Sequence, residues 1–362
     1  MIRMNDMRSR NVLAFAGVVI LTFAGIMSCA NSKKQEKPTD VGTELVTAAP
    51  TETPIRQLTI TAVGDCTLGS DVNFNASTSL NAYAEKYGTE YFLAKVKDIF
   101  AEDDLTIVNF EGTLTTRGTR ENKTFAFRGD PSYVNVLTSS SVEAANLANN
   151  HSSDYGTVSL TDTQTYLEDA GILTCRGMDN VTVTDINGIR VGLVGINYLN
   201  DVMKTELEGA IAKAKNQGAE LVILSIHWGV EKNAAPTDEQ IKAAHSAIDC
   251  GADVVLGAHP HVLEGIEKYK GRYILYSMGN FCFGGNSSPS DMDSMIWRQT
   301  FTFNGDTLAD DDNYEIIPAR ISGTAGVNNY QPIPAEGADK ERIENRLTKY
   351  SDELGDISLN FR

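Results

Sequence analysis

The chain has 362 residues, of which 41% are apolar, so it can bury a sizeable core and is neither fibrous nor wholly disordered. Its formal charge of −17 excludes binding to nucleic acid or to an anionic lipid surface through a general basic field. An anionic polymer would therefore need a local basic pocket.

Residues 1–28 have the pattern of an export signal. Basic residues precede a short apolar run over 12–27. This run lacks the charged flank that would stop transfer on the cytoplasmic side, which favours cleavage over permanent spanning. The sequence Ile26-Met27-Ser28-Cys29 resembles a bacterial lipobox, so we expect Cys29 to be lipidated and to anchor the protein to the outer face of the cell membrane. An ordinary signal peptide and an uncleaved anchor are the alternatives.

Residues 29–57 are rich in Ser, Lys, Thr, Pro and Glu, which is typical of a flexible linker. The folded domain is predicted over residues 58–325, followed by a polar helical tail over 326–362. The remaining cysteines have no C-x-x-C spacing, so we expect buried free thiols and no disulfide framework. They are Cys66, Cys175, Cys250 and Cys282.

Short β-type runs alternate with helical patterns along the domain, which predicts a layered α/β fold. Strands are predicted at 58–63, 105–110, 190–196, 221–226, 253–256 and 272–276, with one more after the Asp-rich segment 306–312. Helices are predicted over 203–217, from a capping box at Thr237 to about Gly251, and over 338–354.

Polar side chains follow the first two predicted strands. Asp65 lies on a glycine-flanked turn, where an Asp is also common as a turn or helix cap. Asn109 and Glu111 end the second strand and point to the same side if the chain is still extended. Open α/β sheets bind their ligands at the carboxyl ends of their strands, so these side chains are candidates for a common site.

The loop over residues 149–156 contains Asn150, His151 and Asp154. It combines amides, an imidazole and a carboxylate, and a polar turn explains this composition as well as a functional site does.

Two more strand ends carry histidines. His227 directly follows an apolar strand, where a lone histidine also occurs as a core residue. His259 and His261 are spaced by one residue and point the same way from an extended segment, which is a stronger indication of metal binding. His245 lies on the apolar stripe of a helix, and packing on the core explains it.

Taken together, carboxylates, an amide and imidazoles at successive strand ends predict a divalent-metal site. These ligands suit Mn, Fe, Zn or Mg and require no thiolate. Such a centre does hydrolytic work by binding a water, lowering its pKa and neutralising charge on an ester oxygen.

As a set, these residues resemble the CapA-type capsule-synthesis proteins, the poly-γ-glutamate accessory family related to calcineurin-like metallophosphoesterases. The resemblance covers roughly residues 58–300. Its motifs are Gly64-Asp65, Asn109-Phe110-Glu111, Asn150-His151 with Asp154 and Gly156, His227-Trp228-Gly229 with Glu231, His259-Pro260-His261, and Ser277-Met278-Gly279-Asn280-Phe281.

The resemblance implies a four-layer α/β/β/α sandwich, metallophosphatase-like, with its metal site at the carboxyl ends of the central strands. It implies that Asp65 and His261 bind a first metal, that Glu111 bridges, and that Asn150, His227 and His259 bind a second. His151, with Asp154, takes the catalytic position that assists the leaving group or holds the phosphate.

Two positions depart from the phosphoesterase pattern. The histidine ligand expected two residues after Asp65 is replaced by Thr67, and the bridging aspartate is replaced by the longer Glu111. The first-metal position is therefore expected to be weak, differently ligated or empty.

Substrate contacts are predicted for Asn109 and Arg128. Arg128 belongs to a basic cluster that follows the Glu111 loop and would clamp phosphate or polymer carboxylates. A solvated charged loop is the alternative interpretation. The other members of the cluster are Arg117, Arg120 and Lys123.

Three functions fit these observations. The first is an exported metal-dependent phosphoester hydrolase, and the second is a non-hydrolytic accessory of capsule or poly-γ-glutamate assembly within a membrane complex. The third is a surface-anchored binding lipoprotein whose site has decayed. The expected partners are an anionic polymer or a phosphoester, and no nucleic acid.

Overall fold

A computed structural model describes residues 54–199, 203–310 and 312–362. The predicted export signal, Cys29 and the linker up to residue 53 lie outside these residues. The strands are β1 (Ile55–Thr67), β2 (Leu105–Phe110), β3 (Thr113–Leu114), β4 (Arg128–Gly129), β5 (Ala144–Asn146), β6 (Leu173–Cys175), β7 (Thr182–Ile186), β8 (Ile189–Tyr198), β9 (Leu221–Trp228), β10 (Val254–Ala258), β11 (Ile266–Tyr269), β12 (Arg272–Leu275), β13 (Asn280–Phe283), β14 (Asp293–Asn304), β15 (Thr307–Leu308), β16 (Tyr314–Arg320) and β17 (Ile333–Pro334).

The helices lie outside the two large sheets and at the C-terminal end of the chain. They are α1 (Leu80–Tyr87), α2 (Lys97–Phe100), α3 (Val134–Thr138), α4 (Thr157–Asp169), α5 (Met203–Asn216), α6 (Asp238–Asp249) and α7 (Gly337–Asp352). Over the described ranges, none of them has the length and apolar character needed to cross a membrane.

Two sheets contain most of the strands. The first has the order β17-β16-β14-β1-β2-β5-β6, with β13 parallel to β1 and β15 beside β14. The second has the order β11-β12-β10-β9-β8-β7. Strands β1, β2 and β5 are mutually parallel, as are β8, β9 and β10, so within each sheet their carboxyl ends meet at one edge.

Three apolar clusters hold the layers together. One lies between the sheets and joins Ile60 and Ile107 of the first sheet to Ile223 and Leu256 of the second. A second packs helices against the outer face of the first sheet, and a third packs α5 and α6 against the outer face of the second. The predicted four-layer α/β/β/α sandwich is therefore confirmed.

The C-terminal helix contributes to the central core. Helix α7 was expected to be polar, and most of its surface is, but Ile343 and Leu347 are buried in the cluster between the sheets. Its last turns also contact the region of Glu264 through Ser351, whose hydroxyl accepts from the Ile266 N–H at 2.9 Å. The helix thus closes one side of the gap between the sheets.

The four cysteines of the described residues differ in burial. Cys66, Cys175 and Cys282 are buried, whereas Cys250 is exposed, contrary to expectation. Cys250 follows the last turn of α6, which lies on the outer surface of the second sheet. A position beyond a helix end is open to solvent even when the helix itself packs on the core.

Glu264 is a buried acid whose ionisation should lower stability. Its Oε2 accepts from Gln240 Nε2 at 2.9 Å, its Oε1 has no hydrogen-bond partner, and burial raises the pKa of Glu264 to about 8. In the unfolded chain a glutamate titrates near about 4.3, so between the two values the folded state binds more protons than the unfolded state. The Glu264 contribution to stability should then fall by about 1.4 kcal/mol per pH unit as pH rises through this window.

Denaturant unfolding at a series of pH values measures this effect. Glu264→Gln should remove that part of the slope, while Glu239→Gln, an exposed position on α6, should retain it. Parallel stability profiles for the wild type and Glu264→Gln would contradict the assignment.

Candidate metal centre

Asp65 lies at the end of β1 and enters the site beside the segment that precedes β13. The Asp65 N–H donates to Gly279 O at 3.0 Å, and a Cβ on Gly64 would stand 1.9 Å from that same oxygen. Only glycine allows this approach. The carboxylate accepts from Asn109 Nδ2 at 2.7 Å through Oδ1, and Oδ2 lies 3.0 Å from His261 Nδ1.

Glu111 is completely buried at the centre of the site. Its Oε2 accepts from the Thr67 hydroxyl at 3.2 Å, whereas Oε1 has no hydrogen-bond partner. That oxygen lies 3.9 Å from Nε2 of three imidazoles, and burial raises the pKa of the Glu111 carboxyl. The three imidazoles belong to His151, His227 and His261.

Thr67 and Glu111, the two residues that depart from the phosphoesterase pattern, are in direct contact. The threonine stands where the phosphoesterase pattern has a histidine, and its hydroxyl donates to one oxygen of the longer acid that replaces aspartate in that pattern. This contact fixes Glu111 so that the other oxygen faces the imidazoles. The two departures seen in the sequence are therefore one local rearrangement.

His227 ends β9 and is fully buried. Its Nε2 lies 2.8 Å from Asn150 Oδ1, and its ring centroid is 4.6 Å from that of His259. Burial, together with the neighbouring imidazoles, holds the pKa of His227 well below its usual range. The ring is thus in the neutral form that binds metals.

His259 and His261 converge through a turn and not through an extended strand. Both have positive φ, 98° and 59°, in a region that side chains rarely adopt. Such strain persists only where the surroundings fix it, and it is common at binding sites. The two imidazoles do lie close together, but a turn brings them there and not the extended segment expected from their spacing.

The two imidazoles of this turn differ in charge. Burial and the neighbouring His261 lower the pKa of His259 to about 4, and its Nδ1 is buried without a partner. Burial also lowers the pKa of His261, but the carboxylates of Glu111 and Asp65 outweigh it and raise the value to about 10. Metal binding at His261 must therefore release a proton.

His151 is oriented by its neighbours in the loop after β5. Its Nδ1 lies 2.8 Å from Asp154 Oδ2, which leaves Nε2 facing Glu111. Lys123 Nζ donates to Asp154 Oδ1 at 2.8 Å and to Asn150 O at 2.7 Å, and the Phe127 N–H donates to Asp154 Oδ2 at 2.6 Å. Sequence reasoning placed Lys123 only in a basic cluster and missed this role.

The residues predicted to contact substrate are engaged in internal contacts. Asn109 is buried, and its amide joins Asp65 to Asn146, which donates to Asn109 Oδ1 at 2.9 Å. The Arg128 guanidinium lies 3.5 Å over the ring of Tyr155, and Nη2 donates to two backbone carbonyls. Their substrate contacts stay predictions.

The rest of the basic cluster is paired with carboxylates. Arg117 forms an ion pair with Asp162, and Arg120 Nη2 donates to Asp71 Oδ2 at 2.7 Å. With Lys123 on Asp154, each cation outside Arg128 has an acidic partner. These contacts give the loop a structural role.

The oxygen and nitrogen donors of the site are grouped closely enough to hold a divalent metal ion. Two groups of side chains each bring their ligand atoms within 4.8 Å of one another. Buried oxygen and nitrogen atoms without partners, Glu111 Oε1 and His259 Nδ1 among them, belong to these groups. Nitrogen and oxygen donors of this kind fit Mn, Fe, Zn or Mg. The groups are Asp65, Glu111 and His261, and Glu231, His259 and His261.

A cavity of about 160 Å³ opens beside the centre. Its lining combines three phenylalanines and two of the site imidazoles with polar and charged side chains, Glu231 and Lys232 among them. The lining includes Phe125, Phe127, His151, His261 and Phe283. A bound molecule can therefore reach the metal centre and contact an apolar wall at the same time.

The chain is similar in sequence to known proteins over most of its folded domain. Residues 59–285 match the family model described as bacterial capsule synthesis protein PGA_cap. The capsule biosynthesis protein CapA of Bacillus anthracis is 27% identical, covering 81% of this chain and 73% of its own length. The PGA biosynthesis protein CapA of Bacillus subtilis (strain 168) is 27% identical, covering 81% and 78%. A hypothetical protein of Thermus thermophilus has a solved structure with 14% identity and a TM-score of 0.45, covering 72% of this chain and 99% of its own.

Proposed function

This chain belongs to the bacterial capsule synthesis protein family, and we propose that it is an exported, lipid-anchored phosphoester hydrolase. In this proposal a divalent-metal centre acts on the outer face of the cell membrane, where an anionic capsule or poly-γ-glutamate polymer is assembled. Cys29 would be the lipidated residue, because Ile26-Met27-Ser28-Cys29 resembles a lipobox.

One observation carries the hydrolytic part of the proposal. The buried Glu111 Oε1 has no hydrogen-bond partner and lies 3.9 Å from three imidazole nitrogens. Leaving such a carboxylate oxygen unpaired in a protein interior is costly, and a cation between these donors would remove that cost. Asp65, Glu111 and His261 would hold one metal, and Asn150, His227 and His259 a second.

The chain's own residues would position the reacting groups. A bound divalent metal would supply an activated water and neutralise charge on the ester oxygen. Asp154 fixes the His151 ring through Nδ1, so that Nε2 faces the centre and can transfer a proton to the leaving oxygen. Lys123 neutralises the buried Asp154 carboxylate and ties it to the Asn150 backbone.

Hydrolysis of a panel of phosphomonoesters and phosphodiesters by the metal-loaded full chain tests the proposal. Asp154→Asn should lower kcat by about 100-fold or more while leaving the metal content unchanged, because it disturbs the orienting partner of the proton-transfer residue. Asp169→Asn, an exposed position at the end of α4, is the matched control. Turnover that is unaffected in Asp154→Asn would refute the assigned role.

A non-hydrolytic accessory role is the second candidate. It is supported by Thr67 and Glu111, the two departures from the phosphoesterase pattern. In that case the full chain should bind metal, hydrolyse nothing on the panel, and be required for surface polymer in the producing cell. A chain that binds no metal would instead support a surface-anchored binding lipoprotein.

A further inference from the structure

The turn after β9 brings an acidic side chain next to the His259–Pro260–His261 segment. The Lys232 N–H donates to Pro260 O at 2.8 Å, which fastens the turn to the backbone between the two histidines. Gly229 begins the turn with φ of +80°, and a Cβ there would stand 2.7 Å from the Gln240 side chain. The turn that carries Glu231 is therefore held against the His259–Pro260–His261 segment.

Glu231 offers a free carboxylate at this place. One carboxylate oxygen and one ring nitrogen each from His259 and His261 lie within 4.8 Å of one another. In the described part of the chain, Glu231 makes no hydrogen bond and no ion pair with a lysine or arginine. His259 is only 7% exposed, and its buried Nδ1 has no partner. The cluster thus has an acid and an imidazole whose bonding capacity is unused.

We propose that Glu231 is a metal ligand that enters the centre from its solvent side, together with His259 and His261. This inference rests on the proposed metal-dependent function. The phosphoesterase pattern has a histidine ligand at the position of Thr67, and threonine cannot supply that imidazole. Glu231 would supply a further ligand from a different turn. Asp65 and Glu111 are completely buried, whereas Glu231 is exposed, so Glu231 is the acid of these two groups that solvent can reach.

A carboxylate at this position also suits the chemistry of the ion. A carboxylate beside imidazoles is a common ligand combination for a catalytic zinc, and it suits manganese or iron equally. Because Glu231 is exposed, its oxygen can exchange with an incoming ligand without opening the core. The alternative is that Glu231 acts only through its negative charge, which lowers the electrostatic cost of binding a cation.

Calorimetric titration of the chelator-treated full chain with Zn²⁺ or Mn²⁺ tests the ligand assignment. Glu231→Gln should weaken the metal Kd by more than the roughly 10- to 100-fold that follows loss of a group outside the coordination sphere. Glu231→Asp should weaken it similarly, because the charge is kept but the reach is shorter. Glu239→Gln removes an exposed negative charge on α6 and should bind like the wild type. Thermal unfolding of the metal-free proteins checks that each variant is folded.

The outcomes separate this inference from the proposed function. Wild-type binding with an unchanged Kd in Glu231→Gln would overturn the inference alone. A weakened Glu231→Gln beside an unchanged Glu231→Asp would assign Glu231 a charge effect only and would also overturn direct ligation. No metal bound by the wild type would overturn both proposals.

Discussion

Replacing His227 with alanine should abolish binding of the second metal, the one that Asn150, His227 and His259 would hold, and with it all metal-dependent turnover. The imidazole is fully buried, is held neutral, and places Nε2 3.9 Å from Glu111 Oε1 and 2.8 Å from Asn150 Oδ1. No solvent-exposed group can take its place, so the loss of affinity should exceed the roughly 10- to 100-fold that follows removal of a group outside the coordination sphere. Elemental analysis of the purified full chain, with metal-to-protein stoichiometry, measures the effect.

His245→Ala is the control for this prediction. The His245 ring stacks on Tyr269 at 3.8 Å and its Nε2 lies 2.8 Å from Glu267 Oε1, both outside the metal centre. This variant should therefore keep the full metal content. Equal metal content in His227→Ala and the wild type would remove His227 from the ligand set.

Gly64→Ala should be among the most destabilising single substitutions in the domain. The added Cβ would stand 1.9 Å from Gly279 O and 3.1 Å from Met278 O, both of them backbone atoms that cannot rotate away. Strand β1 or the chain before β13 must then shift, and the cost should be about 3 kcal/mol, at the upper end for overpacking. Because Asp65 follows directly, the metal Kd should also weaken.

Urea unfolding and metal titration measure the two effects of Gly64→Ala. Gly323→Ala is the matched control, since its Cβ would make an ordinary contact of 3.5 Å with Ile333 and its backbone is not left-handed. We expect less than about 1 kcal/mol for this control. Similar unfolding midpoints for the two variants would show that the backbone at Gly64 relaxes easily.

The central strands could be predicted because their environment leaves a local signal. Strands β8, β9 and β10 are covered on both faces, so each forms a continuous apolar run that sequence inspection finds. Strand β14 was missed, although it has 12 residues. Its second half alternates buried and partly exposed residues, so it lacks the continuous apolar run of β8, β9 and β10, although such alternation is itself typical of a strand covered on one face.

The sequence showed which side chains follow the strand ends, but it could not show which of their atoms contact one another. Strand pairing brings Asp65 and Glu111 to one edge of the first sheet, whereas His227 lies near the end of a strand of the second sheet and meets Glu111 only because the two sheets pack together. The positive φ values of His259 and His261 follow from contacts of the folded chain that no spacing encodes. The hydrogen bond from Thr67 to Glu111 also could not be predicted from spacing, since it joins two residues that lie far apart in the sequence.

The pairing of β1 has a consequence for the order of events during biosynthesis. This strand opens the domain, but its neighbours β13 and β14 come from near residue 300, and α7, which closes the gap between the sheets, comes later still. A chain with such non-local contacts folds slowly and cannot complete its core while the C-terminal segment is still being synthesised. Export, as proposed for this chain, would benefit from this delay, because a secretion channel that threads extended polypeptide would receive the protein before it becomes too compact to pass.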